Sequence, residues 1–377
     1  MTSRYFISFA FWAIVIAAVA NFPLEASSIA QGQGQDATAE AELQTGTALT
    51  SKGLFSEAIP HLLAARGSVS NEYAASFNLA LCYVGSRQFQ QAIQILNELQ
   101  GGAHQVDVEN LLAQAYIGNA QPQEGLASFK KAAALAPQNE KPYRFVADAC
   151  MDRRDYELGL KVIEIGLHNL PQSARLHYER AIFLIHLDEL DRAKPEFILV
   201  SKLAPESEIG YLAGAHEELI EGDVAGAVRT ARDGAKKGYG NHPLLTLLGE
   251  ALIRSGLSPG QAEFAEAQAA LEKAVKEQPN DPASHIALSS LYLMSGQLDD
   301  AIMHLEKARQ VGPDAPAIYA NLAKAYRRRG DLQQSQAALA VLEKLNREQV
   351  ERIRSAAGDH KMDYAGRGAA EEAETSH

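Results

Sequence analysis

Cysteine is almost missing from this chain of 377 residues, which has only Cys82 and Cys150. With no CxxC pair there is neither a zinc ribbon nor a thioredoxin-like redox motif. Aromatic residues make up 7% of the sequence. No GxxxxGK[ST], GxGxxG or GxSxG run occurs, which excludes the usual phosphate loop, dinucleotide fingerprint and nucleophile elbow. Positive charge is also short: the formal net charge is −12. Non-specific nucleic-acid binding needs a basic footprint that displaces counterions, and this balance argues against one. Glycine and proline fall at spaced positions, between stretches rich in the helix formers alanine and leucine.

The first thirty residues differ from the rest. Arg4 precedes an apolar run from Tyr5 to Ala20, interrupted only by Ser8. Small residues follow at signal-peptidase spacing, so Met1 to Ala30 reads as a secretory signal, with cleavage after Ala20, Ala26 or Ala30. The alternative is an uncleaved helix that anchors the chain in a membrane, although the run is shorter than a span usually needs. Residues 31–38 read as a flexible linker. Export to a periplasm or the exterior is the expected localisation.

The remainder repeats. From Pro282 to Ala315 the chain places apolar residues at helical spacing on both sides of a break at Gly296. The same pattern starts at Ala39, Tyr73, Val106, Glu140, Ala174, Glu208, His242, Pro282 and Pro316. An insertion after Gly256 lengthens the loop of the seventh repeat. Two columns hold only small residues. The eighth position reads Gly46, Ala80, Ala113, Ala147, Ala181, Ala215, Gly249, Ser289 and Ala323. The twentieth reads Ala58, Ala92, Gly125, Gly159, Ala193, Ala227, Ala267, Ala301 and Ser335. Two antiparallel helices that cross closely admit nothing larger at the crossing. The twenty-fourth position is large instead, as at Leu62, Phe129, Phe197 and Leu271.

This period, the small columns and the prolines that close Pro137, Pro171, Pro205, Pro279 and Pro313 resemble the tetratricopeptide repeat (TPR). The resemblance implies an all-α fold, a right-handed superhelical α-solenoid of about nine helix-turn-helix repeats over residues 39–343. A C-terminal capping helix is expected over 344–357 and a disordered tail over 358–377. The sixth repeat is the poorest, with Glu218 in place of a large apolar residue and no closing proline. The register sets Cys82 and Cys150 two repeats apart, too far to pair, so both are expected to be buried thiols.

The resemblance also implies where a partner binds: a concave groove lined by the first helix of each repeat. Carried onto this sequence, the groove candidates are Phe77, Leu81, Asn110, Gln114, Lys141, Arg144, Asp148 and Arg175, followed by Tyr178, Ile182, Leu212 and His216, and then by Ile286, Leu293, Lys324 and Arg327. Apolar members would anchor a ligand by burial. The carboxylate clamp of cochaperone members is absent: Asn78 fits, but Leu43, Thr47, Asp107 and Leu111 do not.

The histidines His177, His186 and His216 lack HExxH spacing and read as helix-surface or groove residues, not metal ligands. No catalytic residue, cofactor, metal or small-molecule substrate is expected. The expected partner is a protein segment, a peptide or a helix, with a membrane involved only if the N-terminal segment stays uncleaved. The function expected is that of a non-enzymatic binding scaffold of the cell envelope; the alternative is an accessory subunit of an envelope glycosyltransferase or protease complex.

Overall fold

The computed structural model describes residues 33–351; the signal and the tail expected from the sequence lie outside them, and residues 33–38 of the expected flexible linker are instead the first turns of a helix. Every regular element among the described residues is a helix. The first helices of successive pairs are α1 (Gln33–Ser51), α3 (Glu72–Gly85), α5 (Gln105–Gly118), α7 (Glu140–Arg153), α9 (Ala174–His186), α11 (Glu208–Glu221), α13 (His242–Arg254), α15 (Pro282–Ser295) and α17 (Pro316–Arg329). Their second helices are α2 (Phe55–Ala65), α4 (Phe89–Glu98), α6 (Pro122–Leu135), α8 (Tyr156–Asn169), α10 (Leu190–Leu203), α12 (Val224–Gly234), α14 (Ala262–Glu277) and α16 (Leu298–Val311). Helix α18 covers 332–351 without a break, so residues 344–351 of the expected capping helix continue the second helix of the ninth repeat, with Leu345 buried. The chain is an all-α helical repeat solenoid.

The helices group into two compact units, an N-terminal one ending at Ile220 and a C-terminal one starting at Glu221. Within each, consecutive helices pack together, as in α1 with α2, α5 with α6 and α15 with α16, and first helices also touch first helices, as in α3 with α5, α5 with α7 and α7 with α9. A long helix with one apolar stripe cannot shield it alone, and stacking the pairs within each unit buries those stripes against one another.

Local chemistry sets the ends. Asn71, Asp155, Ser173, Asp223 and Asp281 accept a backbone N–H from the first turn of the helix they precede. Pro122, Pro243, Pro282 and Pro316 open helices, where their missing N–H costs nothing. Just after the first helix of every pair one residue is left-handed. It is glycine at Gly53, Gly222, Gly256, Gly296 and Gly330, but Arg87, Ala120, Arg154 and Asp188 take the same conformation at φ 58–65°. In the sixth repeat, which lacks a closing proline, α12 runs on into a π-helical turn at Ala235–Tyr239 and stops where Gly238 turns left-handed.

The large column is sealed by the small one. Leu62, Leu96, Phe129, Ile163, Phe197, Leu271 and Leu305 are fully buried, whereas Leu339, with no described helix beyond its own, is 50% exposed. A second tie joins successive repeats through the fourth position. Tyr143 Oη donates to Pro137 O at 2.9 Å and Tyr319 Oη to Pro313 O at 2.5 Å. His177 Nε2 and His285 Nε2 make the same reach to Pro171 O and Pro279 O, both at 3.0 Å. Each ring satisfies the carbonyl of the proline that closes the preceding repeat.

Candidate protein-binding face

In the N-terminal unit α3, α5, α7 and α9 stand side by side. Their shared face carries half of the residues singled out from sequence. On α3, Phe77 and Leu81 are half-buried, and Tyr73 stacks on Phe77 at 5.4 Å and on His104 at 4.3 Å. On α5, Gln114 is half-buried and Asn110 is buried, its Oδ1 having no hydrogen-bond partner among the described residues. On α7, Lys141 is exposed, while Arg144 and Asp148 are half-buried.

Charge concentrates where α7 meets α9. Glu179 Oε1 accepts Arg144 Nε at 3.1 Å and Arg175 Nε at 3.0 Å. The carboxylate is 8% exposed, and its second oxygen has no partner among the described residues. Burial pushes the Asp148 carboxyl well above the ordinary carboxylate range, and the nearby Glu179 adds to this; Arg144 and Arg175 pull the other way. A neutral Asp148 is a hydrogen-bond donor as well as an acceptor. Glu179 is not among the groove candidates read from the sequence, although its i, i+4 spacing from Arg175 signals the pair.

Six of the expected groove residues are buried and present no open surface: Asn110, Tyr178, Ile182, Leu212, His216 and Leu293. The reason is aromatic packing: Tyr178 meets Phe197 edge-on at 5.6 Å, Phe197 stacks on His216 at 5.2 Å, and the Tyr178 hydroxyl hydrogen-bonds to His216 Nε2 at 3.1 Å. These rings fill the space among α9, α10 and α11. In the C-terminal unit Ile286 is half-buried, and Lys324 and Arg327 are exposed on α17. The buried Leu293 instead offers its carbonyl to Arg328 Nη1.

The histidines have structural partners. His177 Nδ1 meets Glu196 Oε2 at 2.6 Å, and His186 stacks on Tyr156 at 4.6 Å. Among the described residues no group of three or more His, Cys, Asp or Glu could hold a metal ion, and no helix is long and apolar enough to cross a membrane. One cluster has the residue types of a hydrolytic triad. His242 Nε2 lies 3.0 Å from Asp281 Oδ2, and Ser284 Oγ donates to that same oxygen. Serine and imidazole therefore share the carboxylate instead of facing each other, which is not the serine–imidazole–carboxylate order of a triad. Thr246 Oγ1 completes the cluster, 2.7 Å from Ser284 Oγ, as a link between α13 and α15.

Two family models described as tetratricopeptide repeat match the sequence, one over residues 260–302 and 293–358 and the other over residues 43–105. No curated protein matches it in sequence. Among solved structures, the human IFIT1 dimer with m7Gppp-AAAA is similar at 16% identity and a TM-score of 0.50, covering 71% of this chain and 67% of that one. A tetratricopeptide repeat protein from Parabacteroides merdae is similar at 17% identity and a TM-score of 0.49, covering 67% of this chain and 98% of that one.

Proposed function

Since the chain belongs to the tetratricopeptide-repeat family, we propose that it is a non-catalytic scaffold that holds a segment of another protein against the face of α3, α5, α7 and α9. The observation that carries this reading is the gradation along that face. The half-buried apolar Phe77 and Leu81 lie at one end, and the paired Arg144 and Arg175 with Asp148 and Glu179 lie at the other. An apolar anchor on a partner gains by covering Phe77, and polar side chains gain direction from the charged end. Neighbouring helices hold both, so little ordering is needed on binding.

A ligand rich in phosphate is the weaker reading. The IFIT1 structure contains m7Gppp-AAAA, but the likeness is one of fold, and a net charge of −12 repels polyanions. The proposal includes export to the cell envelope, with Met1–Ala30 as the secretory signal. A partner that proved to be a glycosyltransferase or protease would make the chain an accessory subunit.

In-cell crosslinking followed by mass spectrometry in the native host tests the proposal. Combining Arg144→Glu with Phe77→Ala should remove the crosslinked partner without changing the circular-dichroism spectrum. The same partner recovered in the same yield would overturn the assignment of this face. N-terminal sequencing of the mature chain tests export, and an intact Met1 in the membrane fraction would count against cleavage.

A further inference from the structure

The fourth and twenty-third positions of a repeat face each other across its helix pair. In the first repeat Glu42 Oε2 meets His61 Nδ1 at 2.5 Å, and in the fifth His177 Nδ1 meets Glu196 Oε2 at 2.6 Å. In both, the imidazole faces a carboxylate. The eighth repeat is different. There His285 on α15 faces His304 on α16, and the two Nδ1 atoms lie 2.8 Å apart.

Hydrogen counting fixes the state of this pair. His285 Nε2 lies 3.0 Å from Pro279 O, and a carbonyl only accepts, so Nε2 carries the hydrogen. His285 Nδ1 is then the acceptor, and His304 donates from its own Nδ1. A first added proton can go to His304 Nε2 and leave this bond intact. A second must go to His285 Nδ1, where it would point at the N–H of His304 across 2.8 Å.

We propose that the α15–α16 pair is an acid-sensitive joint of the C-terminal unit, opening ahead of the other helix pairs because its two facing imidazole nitrogens can share one hydrogen but not two. The surroundings favour the neutral pair. Burial lowers the His285 pKa; its bond to Pro279 and the carboxylate of Asp281 oppose this, and Lys307 adds to it. Burial also lowers that of His304, and His285 adds to the effect, while Asp300 on the same helix and Glu272 on α14 oppose it. Tyr292 stacks on the His304 ring at 5.5 Å and completes the enclosure. Because the folded pKa values lie below the unfolded one of about 6.5, the stabilisation is complete above that pH and is lost as the pH falls through it. The joint sits between α13–α14 and α17, so its opening frees α17 from the pairs before it.

The chain supplies its own non-titrating template. In the fourth repeat the same two positions hold Tyr143 and Val162, and Tyr143 keeps the bond to the preceding proline carbonyl. Hydrogen exchange of the full chain at pH 7.4 and 5.5, corrected for intrinsic rates, reads the opening of each pair. On acidification α15 and α16 should open about 10-fold more if the folded pair takes up one added proton and about 100-fold more if it takes up none, while α7 and α8, where the raised Asp148 carboxyl favours the folded state in acid, should not open more. The double variant His285→Tyr with His304→Val should abolish the difference. If that variant does not fold, His304→Gln keeps a donor for His285 Nδ1 and should leave an effect of about 10-fold, the share of His285 alone. Equal protection of α15 and α16 at both pH values in the wild type, an undiminished acid effect in the double variant, or equal protection at both pH values in His304→Gln overturns the proposal.

Discussion

Gly249 on α13 lies directly against Leu271 on α14. A Cβ at Gly249 would come 2.4 Å from Leu271 Cγ and within 3 Å of both its δ carbons. Gly46 meets Leu62 in the same way in the first repeat, where a Cβ would come 2.6 Å from Leu62 Cγ. In both repeats the eighth position meets the twenty-fourth, and the absence of bulk at one allows a leucine at the other.

Two effects of Gly249→Ala oppose each other. Alanine is the better helix former by about 1 kcal/mol. Overpacking a closed contact costs about 1–3 kcal/mol. With Leu271 fully buried and unable to swing away, the clash wins. The expected outcome is a lower unfolding midpoint in guanidinium, with part of the loss recovered when Leu271→Val is added. A variant as stable as the wild type would show that the crossing is looser than its geometry.

The residue between paired helices offers a test of opposite sign. Ala120 stands at φ 59°, where a Cβ crowds the backbone by about 1–2 kcal/mol. Ala120→Gly relieves this but gives the unfolded chain more freedom, worth about 0.4–1 kcal/mol. The expected net result is a stabilisation of up to about 1 kcal/mol. The same exchange at Ala113, inside α5 and fully buried, should instead destabilise by about 1 kcal/mol or more. Thermal melts of the two variants decide it, and a shift of the same sign in both would refute the argument.

These cases show what a linear sequence reveals of such a fold. Paired helices were legible because contact between them forbids bulk at a fixed interval, which leaves the small columns at Ala80, Ala113 and their counterparts. The left-handed turn was visible at Gly296 but not at Arg87 or Asp188, where the neighbouring helices enforce a conformation the residue type does not advertise. Residues of the candidate face were harder to read. A position's direction follows from helical periodicity, but its exposure depends on the side chains of adjacent helices. Phe77 stays half-buried, whereas Tyr178 and His216 are closed over by contacts involving Phe197, which lies on a different helix from either.

The two thiols should be inert in the folded protein. Cys82 and Cys150 are both free and buried. Burial pushes the Cys82 thiol up to about 11, against the opposing hydrogen bond of Thr50, whose Oγ1 lies 3.0 Å from the sulfur. Burial, joined by Asp155 and Asp148, raises that of Cys150 as well. Reaction requires thiolate and access, and the fold denies both. Ellman's reagent at pH 8 should find no rapidly reacting thiol in the native chain and two in denaturant. Rapid labelling of the native protein would contradict the packing around α3 and α7.

Glu250, at the ninth position of the seventh repeat on α13, gives a pH dependence that a single substitution isolates. Burial pushes its carboxyl up to about 8; Arg254 opposes the shift and Asp281 adds to it. Between the ordinary carboxylate range and about 8 the folded chain keeps a proton that the unfolded chain has lost. Stability therefore falls as the pH rises through that window, by at most about 1.4 kcal/mol per pH unit. Glu250→Gln retains a neutral side chain of similar shape and removes this dependence. The stability of the variant relative to wild type should be flat below about pH 4.5, grow in its favour up to about pH 8, and level off beyond. The two histidines of the eighth repeat titrate in both proteins and cancel in the difference. Melts at pH 5, 6.5 and 8 measure that difference, and a constant value would mean that Glu250 is charged in the folded chain.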